Sequence, residues 1–264
     1  MAVSKTFKLL LRLACGMRKS PLVILKAATL AFVLALARTT FSAPVPLLSI
    51  SEWNGKLNVD GKLEESCYQT SSPIDQFAAA GQPGRQPART RAWLFWNVEK
   101  LIFAFGCEDT TIVADVRSAN EREVDGQDRI ELFLWSGRPE ESYACIEIGA
   151  RGALHDYRAR FYRKFDSSWT ASGLKYKARL TPNGYQVEGE ISRRGMEALG
   201  FRLEPGVQIR VGLFRADFSS SKKDAEPLWI SWVDAASPKP DFHIAESFGE
   251  IVLQPLSQER RERK

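Results

Sequence analysis

The chain has 264 residues, with 37 Lys and Arg against 32 Asp and Glu, a formal net charge of +5, and 44% hydrophobic residues. Seven of the basic residues and none of the acids fall in residues 1–42, so the charge excess belongs to the N-terminal stretch. The remainder is slightly acidic and lacks the basic footprint that nucleic-acid binding requires.

Met17-Arg-Lys-Ser opens a basic segment, the run Ala27–Ala37 is apolar, and small residues follow around Ala37, Ser42 and Ala43. That order is a secretory signal, with Met17 as an alternative start. The run is shorter than the ~20 residues of a membrane span, and an uncleaved N-terminal anchor is the alternative. Residues 1–42 are therefore expected to be a leader and 43–57 a linker. A single domain is expected over 58–254 and a charged tail over 255–264. The mature protein is expected to be secreted or periplasmic, with no membrane span beyond the leader.

The first predicted element is a helical turn over 62–70, followed by a loop over 78–87. Strand signals then succeed one another at 89–97, 100–107, 128–135, 142–150, 153–161, 172–180, 184–192, 207–217, 228–233 and 248–253. Turn residues separate them at Asn97-Val-Glu-Lys, Ser136-Gly-Arg-Pro, Pro182-Asn-Gly and Pro205-Gly. A second helical turn is predicted over 192–200, closed by Gly200. Many short strands with regular turns predict an all-β fold, an antiparallel β-sandwich with one or two short helical turns. The domain keeps Cys67, Cys107 and Cys145, an odd number with no zinc-type spacing. Cys107 and Cys145 read as small buried hydrophobes.

The hairpin from Asp128 to Ala150 is the densest in chemistry. Alternation along a strand puts Arg129, Glu131, Phe133 and Trp135 on one face, and Tyr143, Cys145 and Glu147 on the same face of the next strand. Folding at Pro139 sets Glu131 opposite Glu147. Opposed like charges are destabilising, so the pair needs a partner. That partner is a cation, a metal ion or a ligand rich in hydroxyl donors; the bland alternative is a polar sheet face neutralised by Arg210 or Arg215.

Seven segments in order resemble the family 9 carbohydrate-binding modules and the wider family 9-like domains, which share a DOMON-like β-sandwich. They are Val59-Asp-Gly-Lys-Leu-Glu-Glu65, Ala92–Phe105, Asp128-Arg-Ile-Glu-Leu-Phe-Leu134, Glu147–Asp156, Tyr185-Gln-Val-Glu188, Ile209–Asp217 and Phe242–Gly249. The resemblance implies a non-catalytic carbohydrate-binding domain, associated with polysaccharide breakdown, that clamps a sugar between two Trp rings. Val124-Asp-Gly-Gln127 stands where the first Trp is usual, and the second falls at or beside Phe242. The family's strand glutamate maps to Glu131, its next-strand hydroxyl-binding position to Glu147, and an Arg near its concave surface to Arg215.

The candidate site is therefore Glu131 and Glu147 accepting hydroxyls, Arg215 donating, Phe242 and Trp232 stacking, and His243 hydrogen-bonding nearby. Trp135 and Trp229 are further aromatic candidates, whereas Trp93, Trp96, Phe103 and Phe105 read as packing. The expected partner is an oligo- or polysaccharide, not nucleic acid. No catalytic residue and no cofactor are expected, and a structural calcium ion is left open. Three alternatives stand beside this reading. One is a structural or interaction sandwich that has lost the clamp. The second is a glycosidase, since carboxylates ~5 Å apart match a retaining pair. The third is a haem domain using Met196 and a histidine.

Overall fold

The computed structural model describes residues 45–115, 121–218 and 226–256; the expected leader and residues 257–264 of the expected tail lie outside them. Thirteen strands are described. They are β1 (Leu47–Ser51), β2 (Ala78–Ala79), β3 (Thr90–Asn97), β4 (Lys100–Glu108), β5 (Arg129–Trp135), β6 (Tyr143–Gly149) and β7 (Leu154–Arg160). β8 (Lys164–Asp166), β9 (Leu174–Thr181), β10 (Gly184–Ser192), β11 (Gln208–Asp217), β12 (Leu228–Ser231) and β13 (Gly249–Gln254) follow. Two short helices, α1 (Ser66–Thr70) and α2 (Arg193–Ala198), fall inside the predicted helical turns. Ser192 caps α2 by accepting the Gly195 N–H at 3.3 Å, and Gly200 follows it with φ +86°. Among the described residues no helix is long and apolar enough to cross a membrane.

The strands form two sheets. The smaller runs β3-β4-β10-β9; the larger runs β1-β13-β11-β5-β6-β7-β8, with β12 beside β11 and β2 beside β12. All pairings are antiparallel except β1 with β13. That strand begins inside the stretch expected as a linker, where Pro44 and Pro46 mask an apolar alternation that buries Ile50. Turns close as their residues dictate. The Asn97 side chain accepts the N–H of Glu99 and Lys100, bending β3 into β4. Gly184 sits at φ +147° with the Cys107 carbonyl 2.0 Å from where a Cβ would stand, so only glycine fits there.

Aliphatic side chains fill the space between the sheets. Ile130, Leu132 and Leu134 of β5 and Ala144, Ile146 and Ile148 of β6 meet Leu94, Phe103, Phe105 and Val187 of the small sheet. Cys67, Cys107 and Cys145 are free thiols, all buried. Met196 is fully buried in the same aliphatic cluster, a packing residue rather than an axial ligand.

Both sheets are also covered on their outer faces. Over the small sheet, the stretch carrying Trp53, Leu57, Leu63, Cys67 and Tyr68 packs on Trp93, Phe95, Ile102 and Ala104. Over the large sheet, Phe242 and Phe248 pack on Phe133, Tyr143 and Phe214. Strands β5 and β6 are therefore buried along their whole length, on both faces. A sheet covered on one side only would leave Glu131 and Glu147 in water; here they lie beneath a roof.

Candidate functional site

The predicted hairpin register holds: Glu131 lies opposite Glu147 and Phe133 opposite Cys145. Both carboxylates are almost completely buried, at 2% and 3% exposure. Their partner is Arg129, two residues before Glu131 on the same strand and therefore on the same face. Arg129 reaches Glu131 at 2.9 Å and Glu147 at 2.8 Å. The one guanidinium therefore lies against both carboxylates. The remaining guanidinium nitrogen donates to the Asp125 carbonyl at 2.9 Å, fastening the 3-10 turn Glu121–Gly126 to the sheet. Burial, and then the Glu147 charge, raise the Glu131 carboxyl above its usual range, against the pull of Arg129.

A hydrogen-bonded chain continues from Glu147. The Tyr157 hydroxyl donates to Glu147 at 2.7 Å. With its proton turned there, its oxygen can only accept from His243 Nε2, 3.4 Å away. Nδ1 of His243 then accepts a hydrogen bond from the Tyr143 hydroxyl, 2.8 Å away. This ordering needs a neutral imidazole, and burial with the nearby Arg163 charge holds His243 down to about 4. His155, on the other side, bonds Asp125 at 2.8 Å. Burial alone would lower His155, but the Asp125 bond and the Glu147 charge carry it upward.

These groups open into a cavity of about 360 Å³, at the small end of the ~300–1,000 Å³ range of ligand pockets. Its floor is Arg129, Glu131, Glu147 and Tyr157; its walls include Trp229, Phe165, Phe242 and His243. Trp229 is partly exposed, with the Arg129 guanidinium 5.5 Å from its ring centre. Phe165 is about half exposed. Phe242 is buried at 5% exposure and stacks on Phe214 at 4.1 Å, so most of its surface is already in use.

The structure brings five of the sequence-predicted residues to this cavity: Glu131, Glu147, Phe242, His243 and the further aromatic candidate Trp229. It places Arg215 and Trp232 elsewhere. Arg215 pairs in register with Ile130, on the face between the sheets, where it bonds Asp109 at 3.1 Å and Asp217 at 3.0 Å. Trp232 packs against the inter-sheet core, its ring over Gly249. Arg210 pairs with Glu250 at 3.2 Å, away from the glutamates. Sequence reasoning passed over Arg129, Phe165 and Tyr157 as site residues. The first carried a readable signal, since residues i and i+2 of a strand share a face.

Among the described residues two clusters have the composition of a metal site: Asp125 with Glu147 and His155, and Asp109 with Asp128 and Asp217. Neither fits a divalent ion. Arg129 already lies against Glu147, and Arg215 against Asp109 and Asp217. The Asp128 carboxylate is taken by the backbone N–H of Phe218 at 2.6 Å and of Val113. A guanidinium supplies the positive charge in each cluster.

Fold and cavity together define a β-sandwich domain that holds a small polar and aromatic pocket against the outer face of one sheet. The sequence profile described as "Carbohydrate family 9 binding domain-like" matches residues 59–256, and the chain belongs to that family. The family is one of binding domains, which agrees with the expectation of a non-catalytic protein. No curated protein matches the chain. Solved structures with the same fold include a protein of Bacteroides uniformis ATCC 8492 assigned, but not shown, to bind carbohydrate. It is 14% identical with a TM-score of 0.62, over 80% of this chain and 100% of that one. Two others are a family 9 carbohydrate-binding module of Caldicellulosiruptor kristjanssonii in complex with cellotriose and one in complex with glucose. They are 15% and 17% identical, each with a TM-score of 0.56, over 80% of this chain and 95% and 97% of theirs.

Proposed function

We propose that this protein binds carbohydrate, without transforming it, in the cavity above β5, β6 and β7. The observation that carries the reading is the Glu131–Arg129–Glu147 cluster opening into the same cavity as the rings of Trp229 and Phe165. Sugar rings need flat apolar walls for their C–H faces and fixed acceptors and donors for their hydroxyls. Glu131 and Glu147 accept, Arg129 donates, and Trp229 and Phe165 form the walls. Charges within the cluster offset one another, which suits an uncharged ligand. Export through the residue 1–42 leader, and a place in polysaccharide breakdown, complete the proposal. N-terminal sequencing of the protein recovered outside the cytoplasm tests export.

Calorimetric titration tests binding, beginning with glucose and cellotriose, the ligands of the Caldicellulosiruptor modules, and extending to a glycan panel. Saturable heat that disappears in Trp229→Ala and Glu147→Gln supports the reading; no heat with any sugar overturns it. A second reading is an interaction domain that kept the fold and lost the clamp. Phe242 packed on Phe214 and the pairing of Glu131 with Arg129 favour it. The same titration decides between the two.

A further inference from the structure

Among the described residues, the large apolar side chains that stand most exposed include two from one short turn: Tyr162 at 61% and Phe165 at 48%. Both belong to the hairpin joining β7 to β8, at the edge of the large sheet. Phe165 pairs in register with Ala159, which pairs with Tyr143, so it continues the outer face that carries the cavity. It is at once a cavity wall and a half-exposed ring.

Tyr162 lies one step further out and does not line the cavity. An exposed tyrosine ordinarily keeps its rotamer freedom, but this one is held at three points. Its hydroxyl donates to Asp241 Oδ2 at 2.8 Å and accepts from Arg163 Nε at 3.0 Å, and the Arg163 guanidinium lies 5.5 Å from its ring centre. Asp241 lines the cavity and bonds Arg163 as well, at 2.9 Å. The ring is therefore fixed relative to the cavity mouth, largely open to solvent, and stacking on it costs little further ordering.

We propose that Tyr162 is an outer subsite. It would stack on the second sugar unit of a chain whose terminal unit fills the cavity, so the ligand is an oligosaccharide rather than a free monosaccharide. The proposal rests on the carbohydrate reading of the cavity and names its ligand more closely. Tyr162 lies outside the cavity lining while Asp241, which its hydroxyl bonds, lies within it, so a ligand that touches both the ring and the floor extends past the mouth.

Titration of glucose and cellotriose into the full-length wild type, Tyr162→Ala, Tyr162→Phe and Trp229→Ala tests this. Tyr162→Ala should lower trisaccharide affinity about five- to tenfold and leave monosaccharide affinity within about twofold. Tyr162→Phe keeps the ring without the Asp241 bond and should retain most of the trisaccharide affinity. Trp229→Ala should lose both ligands. Equal wild-type affinity for the two sugars, with loss of both in Trp229→Ala, overturns the outer subsite and leaves the cavity reading standing. A Tyr162→Phe loss as large as that of Tyr162→Ala also overturns it, because the effect would then run through Asp241. No heat with any sugar overturns both.

Discussion

Replacing Arg129 by Met removes the cation that lies between Glu131 and Glu147 while keeping much of the side chain's length. The guanidinium is 2.9 Å and 2.8 Å from the two carboxylates, and its own side chain is 5% exposed. Two effects follow. At least one carboxylate loses its counterion and must take up a proton to stay buried. From an ordinary Glu value of ~4.3, that costs about 4 kcal/mol at pH 7.5 and about 1 kcal/mol at pH 5. The lost bond to the Asp125 carbonyl adds ~1–2 kcal/mol at either pH. Breaking a buried pair by removing one member is worth ~3–5 kcal/mol in general, which lies between the sums at the two pH values. Denaturant unfolding of wild type and Arg129→Met at pH 7.5 and pH 5 should show a destabilisation of several kcal/mol that shrinks by ~3 kcal/mol at the lower pH. The triple variant with Glu131→Gln and Glu147→Gln should recover most of the loss at pH 7.5. A destabilisation below ~1 kcal/mol, or one equal at the two pH values, would refute Arg129 as the counterion.

Three further outcomes are expected. Gly249→Ala places a Cβ 2.4 Å from the Trp232 ring, and thermal unfolding should show a loss of ~1–3 kcal/mol; a change within error means the ring can move aside. Tyr68→Phe removes the hydroxyl that donates to buried Glu188 at 3.1 Å while the Asp60 and Gly61 N–H bonds to Glu188 remain, so denaturant unfolding should register ~1–2 kcal/mol. His243 is held at about 4 in the folded protein, below the ~6.5 of an unfolded histidine. Its contribution is complete above pH ~6.5 and is lost as pH falls toward 4, about 2 kcal/mol of it by pH 5. His243→Gln should lose less stability than wild type between pH 7 and pH 5, and an identical fall in both would show that His243 does not titrate in this window.

Period-two alternation made most of the fold readable. It set the faces of the β5–β6 hairpin and hence the Glu131–Glu147 opposition, which needs only local geometry. It could not set the register between strands far apart in sequence. Arg215 was expected beside the glutamates, yet Phe214, not Arg215, stands opposite Glu131 in the sheet, and one residue of offset sends Arg215 to the other face. The same parity separates Trp229 from Trp232. Trp229 pairs with Ala216, which in turn pairs with Arg129, and so reaches the cavity; Trp232, three residues on, turns inward. β8 is three exposed residues long, too short for any periodic signal, and Tyr162 and Phe165 went unread with it.

What distinguishes this sandwich from a sheet with one wet face is the segment around Phe242 and Phe248. Without it the aromatic side of β5 and β6 would be a broad exposed patch, and the opposed glutamates would be a solvated pair worth little. With it Phe133, Tyr143 and Phe214 become a second core, and the same burial compels Glu131 and Glu147 to share Arg129. Where the roof leaves off, beside Trp229 and Phe165, the compensated charges face an opening instead of packed side chains. Cavity and second core are thus products of one covering segment. Changes at the Phe242–Phe214 stack would therefore loosen the site and the fold together, and Trp229, which meets Phe242 edge-on at 5.4 Å and the Arg129 guanidinium at 5.5 Å, ties the ligand wall to the same core.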